Sequence, residues 1–430
     1  MNTKPLFPIL RFTLFILWLL AFPMNGFLLG RAGLEHPLLY FVIPDAIALF
    51  AVRYLVVSRF FPVIANTSIV IIIATTALFP FSGTWKLPLL IIMGIAGAGF
   101  LTKTIGDMNL LKNPPLAAAM SMAGGNLALL VLMKLPLEPS AMHILLAALL
   151  LVPLFSPTPR CAQAEMARFA WYLPFLFVYN LVSGLMYGAL MDAYARQTYV
   201  NGIELLFYVG TAFAGAWLVR KGKDLLLVLG ILGGMLSFSI FNIKGAFAVN
   251  LSMFAFQCAA GFIDIFILVL LLSRADCMMV AGPVFGTVCL GIAGGYVISG
   301  VTGGAASTVV GAANLVLTIA VFIFIFLAKK LQMGREVKAI PAEVPLTQAT
   351  SIIRLPPLLQ KRLSDREMAV LDCVLHRKTF RETAKVLSLS ESSVKTYMKR
   401  IYEKTGVTGK NELFSMLANS EGDGAGGKES

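Results

Sequence analysis

From its first residues to Lys329 the chain is a succession of apolar stretches of about twenty residues, each interrupted by a short polar connection. Wound as an α-helix, a stretch of about 20 residues crosses a hydrocarbon core of roughly 30 Å. The stretches lie at about 9–30, 38–57, 61–82, 87–106, 115–133, 140–156, 169–191, 202–219, 224–243, 247–272, 279–299 and 308–328. Composition agrees: 58% of residues are hydrophobic and 13% are charged, whereas a soluble domain carries about a quarter charged residues. A water-soluble fold is excluded for this part, and the last hundred or so residues alone have a soluble composition. The expectation is an all-α chain: a polytopic bundle of about twelve membrane helices over residues 1–330, followed by a small four-helix domain.

Lys4 and Arg11 precede the first apolar stretch as in a signal peptide, but the stretch outruns a usual h-region and many spans follow, so it is read as the first membrane helix. An even number of spans places both termini on one side. Alternate connections, together with the span ends beside them, then hold Lys4, Arg11, Arg53, Arg59, Lys103, Lys112, Arg160, Arg168, Arg220, Lys221, Lys223, Arg274, Lys329 and Lys330. The other set holds Arg31, Lys86, Lys134, Arg196 and Lys244. By the positive-inside rule both termini are cytoplasmic, in a multi-pass protein of the inner (cytoplasmic) membrane. The connection Pro157–Arg168 divides the spans into six plus six, an arrangement expected of transporter-like bundles.

Gly215-Ala-Trp-Leu-Val-Arg-Lys-Gly-Lys223 resembles the G-x-x-x-D-R-x-G-R/K loop of the major facilitator superfamily. Val219 stands where that loop has aspartate, and the corresponding connection near Arg53 and Arg59 matches it poorly. The resemblance implies a facilitator-like bundle.

Asp45, Arg53, Glu204 and Asp264 are ionisable residues inside spans, where a charge normally faces a partner or a water-filled cavity. Asp45, Asp264, Glu204 and Asn180 are candidates for a pocket taking a small-molecule ligand, with Asn126 and Gln257 as polar companions. The alternative is that these groups satisfy one another and fix helix packing. The glycine-rich run Gly291–Gly311 reads as close helix packing.

Cys161, Cys258, Cys277, Cys289 and Cys373 show no C-x-x-C spacing, and His36, His143 and His376 lie far apart. Neither a disulfide framework nor a metal site follows. No nucleophile–base constellation or phosphate-cradling loop is evident, so neither an enzyme nor a cofactor is expected.

After Lys330 come Pro341, Pro345, Pro356 and Pro357, and residues 331–360 read as a cytoplasmic linker. Residues 420–430 are Gly- and Glu-rich and read as a disordered tail. Between them, in 361–419, Ser364 with Glu367 and Thr379 with Glu382 form two S/T-x-x-E capping boxes. Met368, Leu371, Val374 and Leu375 stripe the first helix, and Thr383, Ala384 and Leu387 face the same core from the second. Ser388, Leu389 and Ser390 turn the chain into a third helix running from near Glu391 to Thr405, with Gly406 placed to end it. Val394, Tyr397 and Ile401 point inward, leaving Ser392, Lys395, Thr396, Lys399 and Arg400 outward, as on a helix read against the major groove. A fourth helix is expected from about Lys410 to Ala418.

These residues resemble the LuxR-type (GerE-like) DNA-binding domain. The matches are Leu363-Ser364-x-Arg366-Glu367, Val370-Leu371, Glu382-x-Ala384-x-x-Leu387-x-Leu389-Ser390, Ser393-Val394-Lys395-x-Tyr397, Ile401-Tyr402-x-Lys404 and Glu412-Leu413. Arg377, Thr383 and Thr405 depart from the glycine, aliphatic residue and leucine usual at those places. The resemblance implies that Lys395, Thr396 and Lys399 reach into the major groove, that Ser393 and Arg400 hold phosphates, and that helix four supplies a dimer contact. From Arg354 to Leu413 thirteen Lys/Arg stand against seven Asp/Glu, a net of +6 that suits a polyanionic partner. A basic domain lying on anionic lipid or on a protein is the alternative from charge alone.

The expected function is a membrane-bound one-component transcription regulator that binds promoter DNA through its tail, the bundle acting as sensor. A facilitator-type transporter with a fused regulatory domain is the second reading, and a membrane-anchored scaffold the third.

Overall fold

The computed structural model describes residues 6–24, 26–156, 158–159, 170–243, 245–302, 306–338, 363–375, 378–387, 389–407, 409 and 412–413, with side chains of the last membrane helix from 311 to 327. All regular structure among them is helical. The membrane part contains α1 (Leu6–Ala21), α2 (Pro37–Leu55), α3 (Phe61–Leu78), α4 (Lys86–Met108), α5 (Pro114–Lys134), α6 (Pro139–Leu149), α7 (Leu173–Gln197), α8 (Glu204–Leu218), α9 (Asp224–Phe241), α10 (Ala246–Leu272), α11 (Cys277–Thr302) and α12 (Ala306–Lys338). Among the described residues eight helices are long and apolar enough to cross a membrane, and Leu6–Ala21, Pro139–Leu154 and Gly311–Leu327 are shorter apolar ones. Proline stands in the first turn of α2, α3, α5, α6 and α7, where its missing N–H has no intrahelical acceptor to lose.

Two expectations shift. The stretch read as one span over 9–30 stops being helical at Ala21, turns through Pro23, and resumes as the single turn Phe27–Gly30. Residues 331–338, read as linker, continue α12, because Lys329 and Lys330 end the apolar stretch without breaking a helix. The rest of the linker, the tail 420–430, most of the connection 157–168 with Arg160, Cys161 and Arg168, and Lys4, Lys244 and His376 lie outside the described residues.

Small residues let the helices meet at their backbones. A Cβ on Gly94 of α4 would overlap the Phe41 carbonyl oxygen of α2, and one on Gly282 of α11 would overlap the Leu49 carbonyl, also of α2. On the α7–α11 pair, Gly184 and Gly295 have the same relation to Ile292 and Leu181. Gly291 is packed against Asn180, whereas Gly300 and Gly311 face open space, so only part of the glycine run serves packing. The first six helices and the last six meet mainly through α2 with α11 and α5 with α8. Large apolar side chains such as Val63, Phe322 and Phe326 face outward, as a surface in contact with lipid requires.

Side chains also tie the connections at each end. At the end opposite the start of α1, Lys86 Nζ donates to the Ala32 carbonyl at 3.3 Å, Lys134 Nζ to Asn201 at 3.2 Å and Asn250 Nδ2 to Gln197 at 2.9 Å. At the end where α1 starts, Arg11 pairs with Asp107 at 3.4 Å. Lys103, expected at the end of a span, is fully buried in α4 and donates to Asn66 Oδ1 at 2.7 Å and the Pro153 carbonyl at 3.2 Å.

Residues 338–430 form a separate compact unit. Its described helices are α13 (Asp365–Leu375), α14 (Phe380–Val386) and α15 (Glu391–Thr405). Their core gathers Val370, Leu371, Val374, Ala384, Val394, Met398, Ile401 and Leu413. Met398 fills the middle of the inner face of α15, because Val394, Met398 and Ile401 keep the four-then-three spacing of one helical stripe, and Tyr397 packs half-buried against the same core. Glu412 and Leu413 are helical; the remainder of the expected fourth helix lies outside the described residues.

Candidate DNA-reading helix and membrane cavity

Both capping boxes form. The Ser364 N–H donates to Glu367 Oε2 at 2.8 Å and the Glu367 N–H returns to Ser364 Oγ at 3.4 Å. Thr379 and Glu382 repeat the exchange at 2.8 and 3.3 Å. Glu367 also receives Lys404 Nζ at 2.6 Å from the last turn of α15, which ties the start of α13 to the end of the reading helix. Burial alone would raise the Glu367 carboxyl, but the Lys404 ammonium and the Ser364 donors outweigh it and hold it below its ordinary value.

Ser390 caps α15, its Oγ accepting the Ser393 N–H at 3.0 Å. Gly406 closes the helix at φ 75°, its N–H on the Tyr402 carbonyl; a side chain is disfavoured in that left-handed conformation. Between these caps Ser392, Lys395, Thr396, Lys399 and Arg400 are exposed and Ser393 is half-buried. Spacings of three and four put Ser392, Lys395, Thr396 and Lys399 on one face of a 15-residue helix. Lys395 rests on Glu391 at 2.9 Å and Lys399 lies 4.0 Å from Glu403, exposed pairs that phosphate oxygens can replace. Of the departures noted in the sequence, Thr405 satisfies its hydroxyl on the Ile401 carbonyl at 2.7 Å, and Thr383 buries its own with no partner. Arg377 lies outside the described residues.

In the membrane unit Asp45, Asn180, Glu204 and Asp264 all line one cavity of about 630 Å³, together with Asn126 and Gln257. Arg53 does not: it stacks on Tyr54 at 4.9 Å near the end of α2. Asp45, 8% exposed, sits one residue after Pro44 within α2. Facing it, Gly97 of α4 has no side chain; a Cβ there would come within 2.9 Å of Asp45 Oδ1. Oδ1 has no hydrogen-bond partner, and Oδ2 meets the Cys289 thiol of α11 at 3.6 Å. Tyr208 Oη donates to Asp264 Oδ2 at 2.6 Å, and Tyr194 Oη to Glu204 Oε2 at 2.7 Å. Asn180 and Asn126 each return Nδ2 to the carbonyl four residues back in their own helices, at 2.8 and 2.9 Å.

The lining also contains Asp192, Tyr179, Tyr187, Tyr194 and Tyr208, which the sequence reading passed over. Asp192 fell one residue beyond the expected seventh span, and the tyrosines, being half apolar, gave no distinct mark in a hydropathy pattern. The cavity reaches Met24, Gly26 and Asn201 at the end opposite the start of α1. Its lining stops at Leu101 on α4 and Leu268 on α10. Beyond these, Thr102–Met108 and Val269–Leu272 are buried and take no part in the lining. Among the described residues no group of three His, Cys, Asp or Glu is placed to hold a metal ion.

Taken together, a helical membrane bundle with a central cavity and a capped helix with an exposed basic face define a multi-pass membrane protein carrying a helix-turn-helix domain. More particularly, residues 361–417 match the family of bacterial regulatory proteins, luxR family, so this unit is a LuxR-type domain. The bundle is similar in fold to the human organic anion transporter MFSD10 (TETRAN), at TM-score 0.58 and 13% identity over 75% of this chain and 99% of that one. It is also similar to the E. coli fucose:proton symporter FucP, at 0.53 and 14% over 76% and 98%, and to the nucleoside transporter NupG, at 0.52 and 16% over 75% and 99%. At such identities the likeness is one of fold: the helical bundle is built like those of these membrane transporters. No curated protein matches the chain in sequence.

Proposed function

We propose that the protein is a one-component transcription regulator of a bacterial inner membrane, with both termini in the cytoplasm and the bundle serving as sensor for a small molecule. The observation that carries this reading is the LuxR-type domain, with its reading face exposed, on the same chain as a bundle that encloses a ligand-sized cavity. Lys395, Thr396 and Lys399 address base edges in promoter DNA, with Ser392 beside them at the helix start; Ser393 and Arg400 hold phosphates. Two copies pair on DNA through the fourth helix. The test is footprinting by the full-length protein in nanodiscs on the DNA upstream of its own gene, at fixed salt because phosphate contacts dominate affinity. Protection of a discrete site, lost in Lys395→Ala/Lys399→Ala, is the expected result; equal, non-selective binding by both proteins rejects the reading.

A second reading is a facilitator-type transporter whose fused domain regulates expression. The carboxylates contributed to the cavity by both six-helix halves favour it. Accumulation of a cavity ligand by proteoliposomes, abolished in Asp264→Asn, would select transport.

A further inference from the structure

The cavity is acidic without compensation. Asp45, Asp192, Glu204 and Asp264 line it, and none of its described lining residues is Lys, Arg or His. The groups that do meet these carboxylates are neutral: a thiol at Asp45 and phenol hydroxyls at Asp264 and Glu204. Hydroxyls donate a hydrogen bond but do not balance charge, and a carboxylate held away from water in a bilayer normally has a cation beside it. Three buried polar atoms of lining residues have no hydrogen-bond partner: Asp45 Oδ1 on α2, Tyr179 Oη on α7 and Thr198 Oγ1 just past the end of α7. An acceptor and hydroxyls left open on one cavity are groups whose hydrogen bonding a ligand can complete.

The volume, about 630 Å³, lies in the range of pockets for small organic molecules, roughly 300–1,000 Å³. Most of the remaining wall is apolar or aromatic, including Phe12, Trp18 and Phe256. Aromatic faces attract cations and also cover an apolar body. Among the described residues no three His, Cys, Asp or Glu are grouped to hold a metal ion, and the aromatic wall suits the apolar body of an organic cation.

We propose that the cavity binds a small organic amine, its ammonium group held by Asp45 and Asp264 and its apolar body by the aromatic wall. As the identity of the sensed ligand, this rests on the sensor reading above; as a binding property it stands apart from it.

The test is equilibrium dialysis of the full-length protein in nanodiscs with phenethylamine, phenylacetate and phenylethanol, which share a carbon skeleton and differ in charge. Saturable binding of the amine alone is expected. Asp45→Asn and Asp264→Asn each weaken it by roughly tenfold or more, as loss of a buried charge partner does, while the ligand-free melting temperature does not fall. If Asp45→Asn cannot be purified, Asp264→Asn carries the same expectation. Saturable binding of phenylacetate or phenylethanol as tight as that of the amine overturns the proposal, as does unchanged affinity in the variants. Displacement of the amine by excess sodium chloride but not by choline chloride assigns the site to an inorganic cation and overturns it too. Absence of saturable binding by both phenethylamine and tetraethylammonium likewise overturns it. Footprinting with and without amine separates the two readings: amine binding that leaves DNA occupancy unchanged rejects the sensor and keeps the ligand class, and selective DNA binding by a protein that ignores amines does the reverse.

Discussion

Glu367→Gln isolates the charge at the joint between α13 and α15. Glutamine keeps the shape and can still accept the Ser364 N–H, as capping boxes allow, so what disappears is the negative charge facing Lys404 at 2.6 Å. The Glu367 side chain is 4% exposed and that of Lys404 42%. A hydrogen bond to a charged group contributes about 1.5–3 kcal/mol, and an exposed ion pair about 0.2–1 kcal/mol. With one partner buried and the other partly solvated, the loss should be about 1–2 kcal/mol, which lowers the Tm of a domain this small by roughly 5–15 °C. The assay is thermal denaturation of residues 361–419, a fragment with its own apolar core, followed by circular dichroism. The pH dependence has a definite sign. Glu367 is held below its ordinary value of 4.5, so its contribution is complete above that value in the unfolded chain and fades as pH falls through the lower folded value. The gap between wild type and Glu367→Gln should therefore be full at neutral pH and close on acidification. A Tm within about 2 °C of wild type at neutral pH, or a gap that persists unchanged in acid, refutes the reasoning.

Thr383→Val removes a buried hydroxyl that has no partner and should stabilise the same fragment by about 1 kcal/mol in urea denaturation; a loss of stability would mean the hydroxyl is satisfied. Gly295→Leu forces a side chain onto the Leu181 carbonyl of α7 and should cost about 1–3 kcal/mol of bundle stability, whereas Gly300→Leu, facing open space, should leave melting in nanodiscs unchanged. In the LuxR-type domain, Lys395→Ala/Lys399→Ala should weaken binding to the discrete site while leaving the slope of log affinity for DNA against log salt nearly unchanged, because both lysines address base edges. A slope reduced by about 2 would assign them to phosphates instead.

The bundle was legible because lipid imposes a length: every expected span overlaps one of the twelve helices. What hydropathy could not show is where a helix breaks inside an apolar stretch, as after Ala21, or continues past its charges, as from Lys329 to Lys338. Half of the cavity was legible for the same reason. Asp45, Glu204 and Asp264 stand out because charge is costly in a span, while Tyr179 and Tyr208 do not, and Lys103 was misplaced because a charge near a span end looks the same whether it faces solvent or Asn66. In the soluble unit local chemistry was explicit: both capping boxes and Gly406 were written in the chain and appear as expected. On the inner face of α15 Tyr397 does pack against the core, while Met398, which the stripe set by Val394 and Ile401 places at its centre, was not singled out because a lone methionine in a polar helix carries little pattern.

A ligand can bias this bundle only by binding two of its arrangements unequally. The cavity carboxylates divide across the halves that such folds rock against each other: Asp45 stands on α2, and Glu204 and Asp264 on α8 and α10. Groups within one half keep their spacing during rocking, so a cation held by Glu204 and Asp264 alone would bind both arrangements alike. One held between Asp45 and Asp264 would not. Taking an equilibrium from about 1:99 to about 99:1 needs roughly 5.5 kcal/mol of differential binding, and one buried charge contact made in a single arrangement supplies about 2–5 kcal/mol. A single cross-half contact therefore shifts the bundle only partly. Under the proposed mode of amine binding, Asp45→Asn should abolish the effect of the amine on DNA occupancy even at amine concentrations high enough to fill the cavity, and Glu204→Gln should lower affinity while leaving the saturating effect intact. A Glu204→Gln protein that fills with amine yet no longer changes occupancy would place the coupling within the second half and not between the two.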